Sequence, residues 1–64
     1  MKYEPNLKLK SILTLRQKTY EDMAIELKIT IKTFYNKING KADFSGHQYK
    51  QMAKVLQVTI DEII

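Results

Sequence analysis

Apolar residues recur along this chain at helical spacing, and almost nowhere with the alternation of a strand. Leu9, Ile12 and Leu13 fall at i, i+3, i+4, flanked by Leu7 and Leu15, and predict a first helix over about 6–15. Pro5 is tolerated only at or before a helix's first turn, so residues 1–5 read as a flexible N-terminal arm. Arg16, Gln17 and Lys18 form a polar connection. Tyr20, Met23, Ala24 and Leu27 then repeat at i, i+3, i+4, i+7, with Thr19 as N-cap and Glu21 and Asp22 at the positive end of the helix dipole. Lys28 and Ile29 make a corner, and Thr30 caps a third helix whose apolar side is Ile31, Phe34 and Ile38. Gly40 is its left-handed stop. Residues 41–44 are a loop with Phe44 tucked beneath it.

Ser45 followed by Gln48 is a capping-box pattern opening a fourth helix, with Tyr49, Met52, Ala53 and Leu56 as its stripe. Thr59 with Glu62 repeats the box and opens a stub over 60–64. The expected fold is therefore all-α: a compact bundle of five short helices over 6–64, with no strand. The β-branched residues of 55–60 do not overturn this, because Thr59 and the helical stripe before it argue against a strand.

One segment echoes another. Residues 20–30 read YEDMAIELKIT and residues 49–59 read YKQMAKVLQVT, matching in Tyr, Met, Ala, Leu and Thr. Two units are too few for a solenoid. Both are helices that must turn sharply against a neighbour, with a small Ala at the crossing and a Thr cap after the corner. The chain thus offers two candidate helix-turn-helix units.

Composition narrows the partners. Sixty-four residues make one small domain, and the chain has no cysteine for a disulfide or thiolate metal site. No apolar run approaches the ~20 residues of a membrane span, so no membrane role is expected. The net charge of +4 favours polyanions. Between residues 27 and 58 stand six lysines (Lys28, Lys32, Lys37, Lys41, Lys50, Lys54) and one acid, Asp43.

That distribution separates the two units. A helix entering the major groove needs an exposed polar stripe and no acids aimed at phosphate. After Thr30, the third helix carries Lys32, Tyr35, Asn36 and Asn39 at i, i+3, i+4, i+7. After Thr59 come Asp61 and Glu62 and then the last residues. Asn pairs with the edge of adenine and Lys reaches guanine. A solvated face would be built more favourably from Glu and Lys than from Tyr and two Asn.

With these residues, 9–56 resembles the Cro and CI-type phage repressor helix-turn-helix family, also called the XRE family. The likeness lies in Ala24 inside helix two, Leu27 and Ile29 about the corner, Thr30, Phe34, the string TFYNKINGK and the MAKVLQVTIDEII tail. It implies a lambda-repressor-like domain that represses transcription from double-stranded operator DNA. Thr30, Ile31, Lys32, Tyr35, Asn36 and Asn39 would then face bases or adjacent phosphates, and Lys18, Thr19, Tyr20 and Lys41 would grip the backbone. The family usually has Gly where Lys28 stands, so a left-handed corner is expected to cost Lys28 about 1 kcal/mol relative to Gly. It commonly has Gln where Tyr20 stands.

Two-fold operators imply a homodimer, and Ile63 and Ile64 are the expected place of self-association. A cytoplasmic, nucleoid-associated protein would follow. His47, the only histidine, reads as a solvated or capping residue. No Gly-rich loop follows a strand and no Ser/His/Asp set exists, so no catalytic residue, metal, cofactor or small-molecule substrate is expected. The competing expectation is a protein-interaction module of the same fold, antirepressor- or antitoxin-like, resting on Ile25 and the C-terminal isoleucines.

Overall fold

A computed structural model describes residues 4–64 of the chain. Four α-helices, α1 (Leu7–Leu15), α2 (Tyr20–Leu27), α3 (Ile31–Ile38) and α4 (Gly46–Leu56), are followed by one 3-10 turn, Ile60–Glu62. No strand occurs among the described residues, and the molecule measures 32 × 22 × 21 Å. No helix among the described residues is long and apolar enough to cross a membrane.

Each start is set by a side chain that supplies an acceptor to a free N–H of the first turn. Asn6 Oδ1 accepts from Leu9 N–H at 3.0 Å. The Thr19 hydroxyl accepts from Asp22 N–H at 3.0 Å while the Asp22 carboxylate accepts from Thr19 N–H at 3.1 Å. Ser45 and Gln48 make the same reciprocal pair at α4. Thr30 accepts from Thr33 N–H at 3.1 Å at the start of α3.

All four α-helices also stop by one device. A left-handed residue donates its N–H to the carbonyl three back, and the next residue donates to the carbonyl five back. The left-handed residues are Gln17, Lys28, Gly40 and Gln57. For α2 the bonds are Lys28 N–H to Ile25 at 3.1 Å and Ile29 N–H to Ala24 at 3.0 Å. For α4 they are Gln57 to Lys54 at 3.3 Å and Val58 to Ala53 at 3.0 Å. Only one of the four left-handed positions is a glycine. Gly40, with φ +90°, is also the place where a Cβ would lie 2.6 Å from the backbone nitrogen of Glu4.

The apolar faces meet in one core: Leu9, Leu13, Met23, Ala24, Phe34, Ile38, Phe44, Met52, Ala53, Leu56 and Ile63. Phe34 stands at its centre, with the rings of Tyr20 and Phe44 each 5.4 Å from its own. Phe44 is buried under the 41–44 loop, as its apolar side chain in a polar segment demanded.

The expected fifth helix is one 3-10 turn. Glu62 N–H reaches the Thr59 carbonyl and Ile63 N–H that of Ile60, three residues back in each case, and this tighter winding turns Ile63 into the core. The Thr59 N–H is taken by the Glu62 carboxylate at 2.8 Å. Ile31 departs from its expected place on the buried side of α3 and is 53% exposed. As the first helical residue it leans back toward the helix start, beyond the neighbour that covers Phe34 and Ile38. Leu7 and Leu15, expected to flank the stripe of α1, are exposed at its two ends. Residues 1–3 of the expected arm lie outside the described residues; the backbone of Glu4 rests against Gly40, and Asn6 N–H donates to the Ile38 carbonyl at 2.8 Å.

Candidate nucleic-acid interface

The left-handed corner at Lys28 (φ 59°, ψ 42°) sends the chain from α2 directly into α3. Burial of Phe34 and Ile38 against the core then fixes which side of α3 faces outward. On that outer side stand Lys32, exposed, Tyr35, 54% exposed, and Asn36, half-buried. No hydrogen bond or ion pair among the described residues engages the side chains of Lys32 and Asn36. Their donors, and the Asn36 acceptor, are open to an outside partner. Residues 28–42 carry four lysines and no acid.

Other side chains expected in the same set are differently placed. Asn39 closes α3, and its amide is occupied at both ends: Oδ1 accepts from Lys10 Nζ at 2.8 Å and Nδ2 donates to the Tyr35 carbonyl at 2.9 Å. It therefore ties α1 to the end of α3. Thr30 is exposed, and its hydroxyl is shared between Thr33 N–H and the Thr33 hydroxyl at 2.8 Å. Lys37, which no motif singled out, donates to the Asp43 carbonyl at 2.9 Å and lies 5.9 Å over the Phe44 ring. Its charge is drawn toward the 41–44 loop.

The expected backbone-gripping residues fall at two places. Lys18 and Thr19 are exposed at the start of α2, and Lys41 is exposed just past α3. Tyr20 is half-buried between α2 and α3, its ring 5.4 Å from Phe34 and 6.2 Å from Tyr35. That contact brings the start of α2 against the outer face of α3. The hydrogen bonds from the Thr19 backbone and side chain, with Lys18 nearby, hold the Asp22 carboxyl below its usual range. Asp22 is thus ionised at neutral pH and occupies one of the N–H groups that a phosphate would use at this helix start.

Ile63, expected to mediate self-association, is buried in the chain's own core, and its carbonyl accepts from Asn6 Nδ2 at 2.6 Å. Its side chain is consumed by the fold. Ile64 remains 54% exposed. Elsewhere, a shallow concavity between the end of α2 and the start of α4 is lined by Glu26, Leu27, Lys28, His47, Gln48 and Gln51. Among the described residues no cluster of three or more His, Cys, Asp or Glu side chains is placed to hold a metal ion.

Lys10, which sequence reasoning missed, is the residue that holds the end of α3 by its bond to Asn39. Its partner lies 29 positions away, and no local pattern marks a lysine on α1 as a neighbour of the α3 terminus. No family model, curated protein or solved structure matches this chain.

Proposed function

We propose that this chain is a sequence-specific DNA-binding transcriptional regulator of the phage-repressor type. In this reading α2 and α3 form a helix-turn-helix, the 3-10 turn stands for the fifth helix of a lambda-repressor-like domain, and α3 enters the major groove of a two-fold operator. The observation that carries it is the outer face of α3: Lys32 and Asn36, with unengaged donors, flank an exposed Tyr35 in a stretch free of acids. Eight residues make a helix about 12 Å long, and its diameter of about 10–12 Å with side chains fits a groove about 12 Å wide.

Lys32 and Asn36 are the base-reading pair, with Tyr35 beside them to meet a thymine methyl or a sugar. Thr30 and Ile31, both exposed, enter at the leading end of the helix. Asn39 sets the position of the helix end, since its amide is committed to Lys10 and Tyr35. Lys18, Thr19 and Lys41 supply backbone contacts. Two copies related by a two-fold axis would place their helices about 34 Å apart. Ile64 is the apolar side chain left near the C-terminus for their association.

Selection of duplexes from a random pool tests this reading. The expected result is an enriched pair of half-sites in inverted repeat. Affinity for the selected duplex should fall linearly with log salt, by about 0.9 for each phosphate neutralised. Recovery of the input pool without enrichment would refute specific readout.

A second reading, a protein-interaction module of the same fold, is favoured by the exposure of Ile25 (68%), Ile31 and Tyr35 on α2 and α3. Its binding would be apolar and nearly independent of salt, so the same titration separates the two.

A further inference from the structure

We infer that Tyr20 is a positioning residue: its ring props the ring of Tyr35 on the outer face of α3, so that α2 helps set which base Tyr35 meets. The inference rests on the DNA-binding reading and deepens it. Tyr20 opens α2, where a phosphate contact is expected; its ring is instead half-buried, with the Phe34 ring at 5.4 Å and the Tyr35 ring at 6.2 Å. The two contacts are tilted by 55° and 57°, within the range of favourable aromatic pairs. Phe34 is wholly buried and cannot move without opening the core. Tyr20 therefore packs against a fixed ring, and Tyr35 packs against Tyr20 in turn.

Tyr35 needs such a support. It is more than half exposed, and no hydrogen bond holds its side chain among the described residues. An unsupported tyrosine on a helix surface samples several rotamers, and reading a base then carries the entropic cost of choosing one. The ring of Tyr20 removes part of that choice before DNA arrives. At the far end of the same face, Asn39 bonds the Tyr35 carbonyl and Lys10, fixing the backbone under the ring. Ring and backbone of Tyr35 are thus held from two different helices.

The experiment is a double-mutant cycle on a selected duplex, using Tyr20→Leu, Tyr35→Leu and the pair, with Tyr20→Phe as the variant that keeps the ring. Melting of each variant, and ring-proton NMR of Tyr35 in the free protein, are measured alongside. The inference expects Tyr20→Leu and Tyr35→Leu to relax preference at the same base position. Their effects should be coupled by roughly two- to tenfold in affinity, the worth of one aromatic pair. Tyr20→Phe should keep the wild-type preference, and Tyr20→Leu should shift the Tyr35 ring resonances without DNA.

Additive effects, or Tyr35 resonances that ignore the loss of the Tyr20 ring, would overturn it. So would Tyr20→Phe weakening all duplexes alike, which would return Tyr20 to a hydroxyl–phosphate contact. If the unmodified chain enriches no duplex, the DNA-binding reading falls and takes this inference with it. The NMR result still tells that failure apart from a failure of the ring contact.

Discussion

The segment 20–34 and the segment 49–63 are two builds of one local device, and they diverge only in what they carry. Lys28 and Gln57 adopt nearly the same conformation (φ 59°, ψ 42° and φ 59°, ψ 45°), with the same two hydrogen bonds back to the preceding helix. Ala24 and Ala53 hold the equivalent carbonyl in each corner. Four residues past the threonine caps, Phe34 and Ile63 are both wholly buried. The corner, cap and anchor are thus structural equipment, able to serve any chain that must reverse a helix against its neighbour. Beyond them the segments part. Lys32 and Thr33 in one correspond to Asp61 and Glu62 in the other, and α3 runs for eight residues where the second segment makes a three-residue turn. A turn pattern alone therefore says little about function. The charge and length of the helix that leaves the turn say more.

The largest test of the comparison is at the two anchors. Phe34→Ala should cost about 3–5 kcal/mol, comparable to the whole stability of a domain this small, and leave the chain largely unfolded in a urea titration. Ile63→Ala should cost less, about 2 kcal/mol, at the low end for a buried isoleucine because it sits in a short terminal turn. Its loss should not depend on protein concentration. A concentration-dependent loss would mean that Ile63 serves association between copies, and the equivalence of the two anchors would fail.

The left-handed positions come next. Gly40→Ala should destabilise by about 1–2 kcal/mol or more, since a Cβ there meets both a disfavoured φ and the Glu4 backbone. Lys28→Gly and Gln57→Gly should each stabilise by about 0.5–1 kcal/mol, and by equal amounts. Thermal melting checks all three. A difference between the last two larger than about 0.5 kcal/mol would show that the corners are alike in geometry but not in strain.

The smallest effect concerns the caps that open α2 and α4. Because Asp22 is held below its ordinary pKa in the folded chain, its contribution is present above the unfolded carboxylate pKa and is lost as pH falls through the folded value. Melting of Asp22→Asn against the unmodified chain should show a stability deficit at neutral pH that shrinks on acidification. Gln48→Ala, which breaks the uncharged cap at α4, should show a deficit nearly independent of pH.

The sequence was most legible where the governing chemistry is local. The caps at Thr19, Thr30 and Ser45 and the corner at Lys28 each involve groups three to five residues apart, so their residue types announce them. The buried stripes come from helical period, and only at element ends, as with Ile31, did the period mislead. What could not be read were contacts between distant segments. Lys10 with Asn39, Asn6 with the Ile63 carbonyl, and Tyr20 with Tyr35 depend on how the helices are stacked. These same contacts redraw the candidate interface: Asn39 and Ile63 become parts of the scaffold, and Lys32, Tyr35 and Asn36 are left facing outward.

The central claim is that α3, and not the turn, carries DNA recognition. It is tested most directly by measuring binding of Lys32→Ala/Asn36→Ala to the selected duplex, beside Asp61→Ala at the matched position of the second segment. Two lost base contacts predict at least about a 30-fold loss of affinity for the selected duplex, with weak non-specific binding retained, while Asp61→Ala binds no more weakly than the unmodified chain. Wild-type affinity and preference in the double variant would contradict the account.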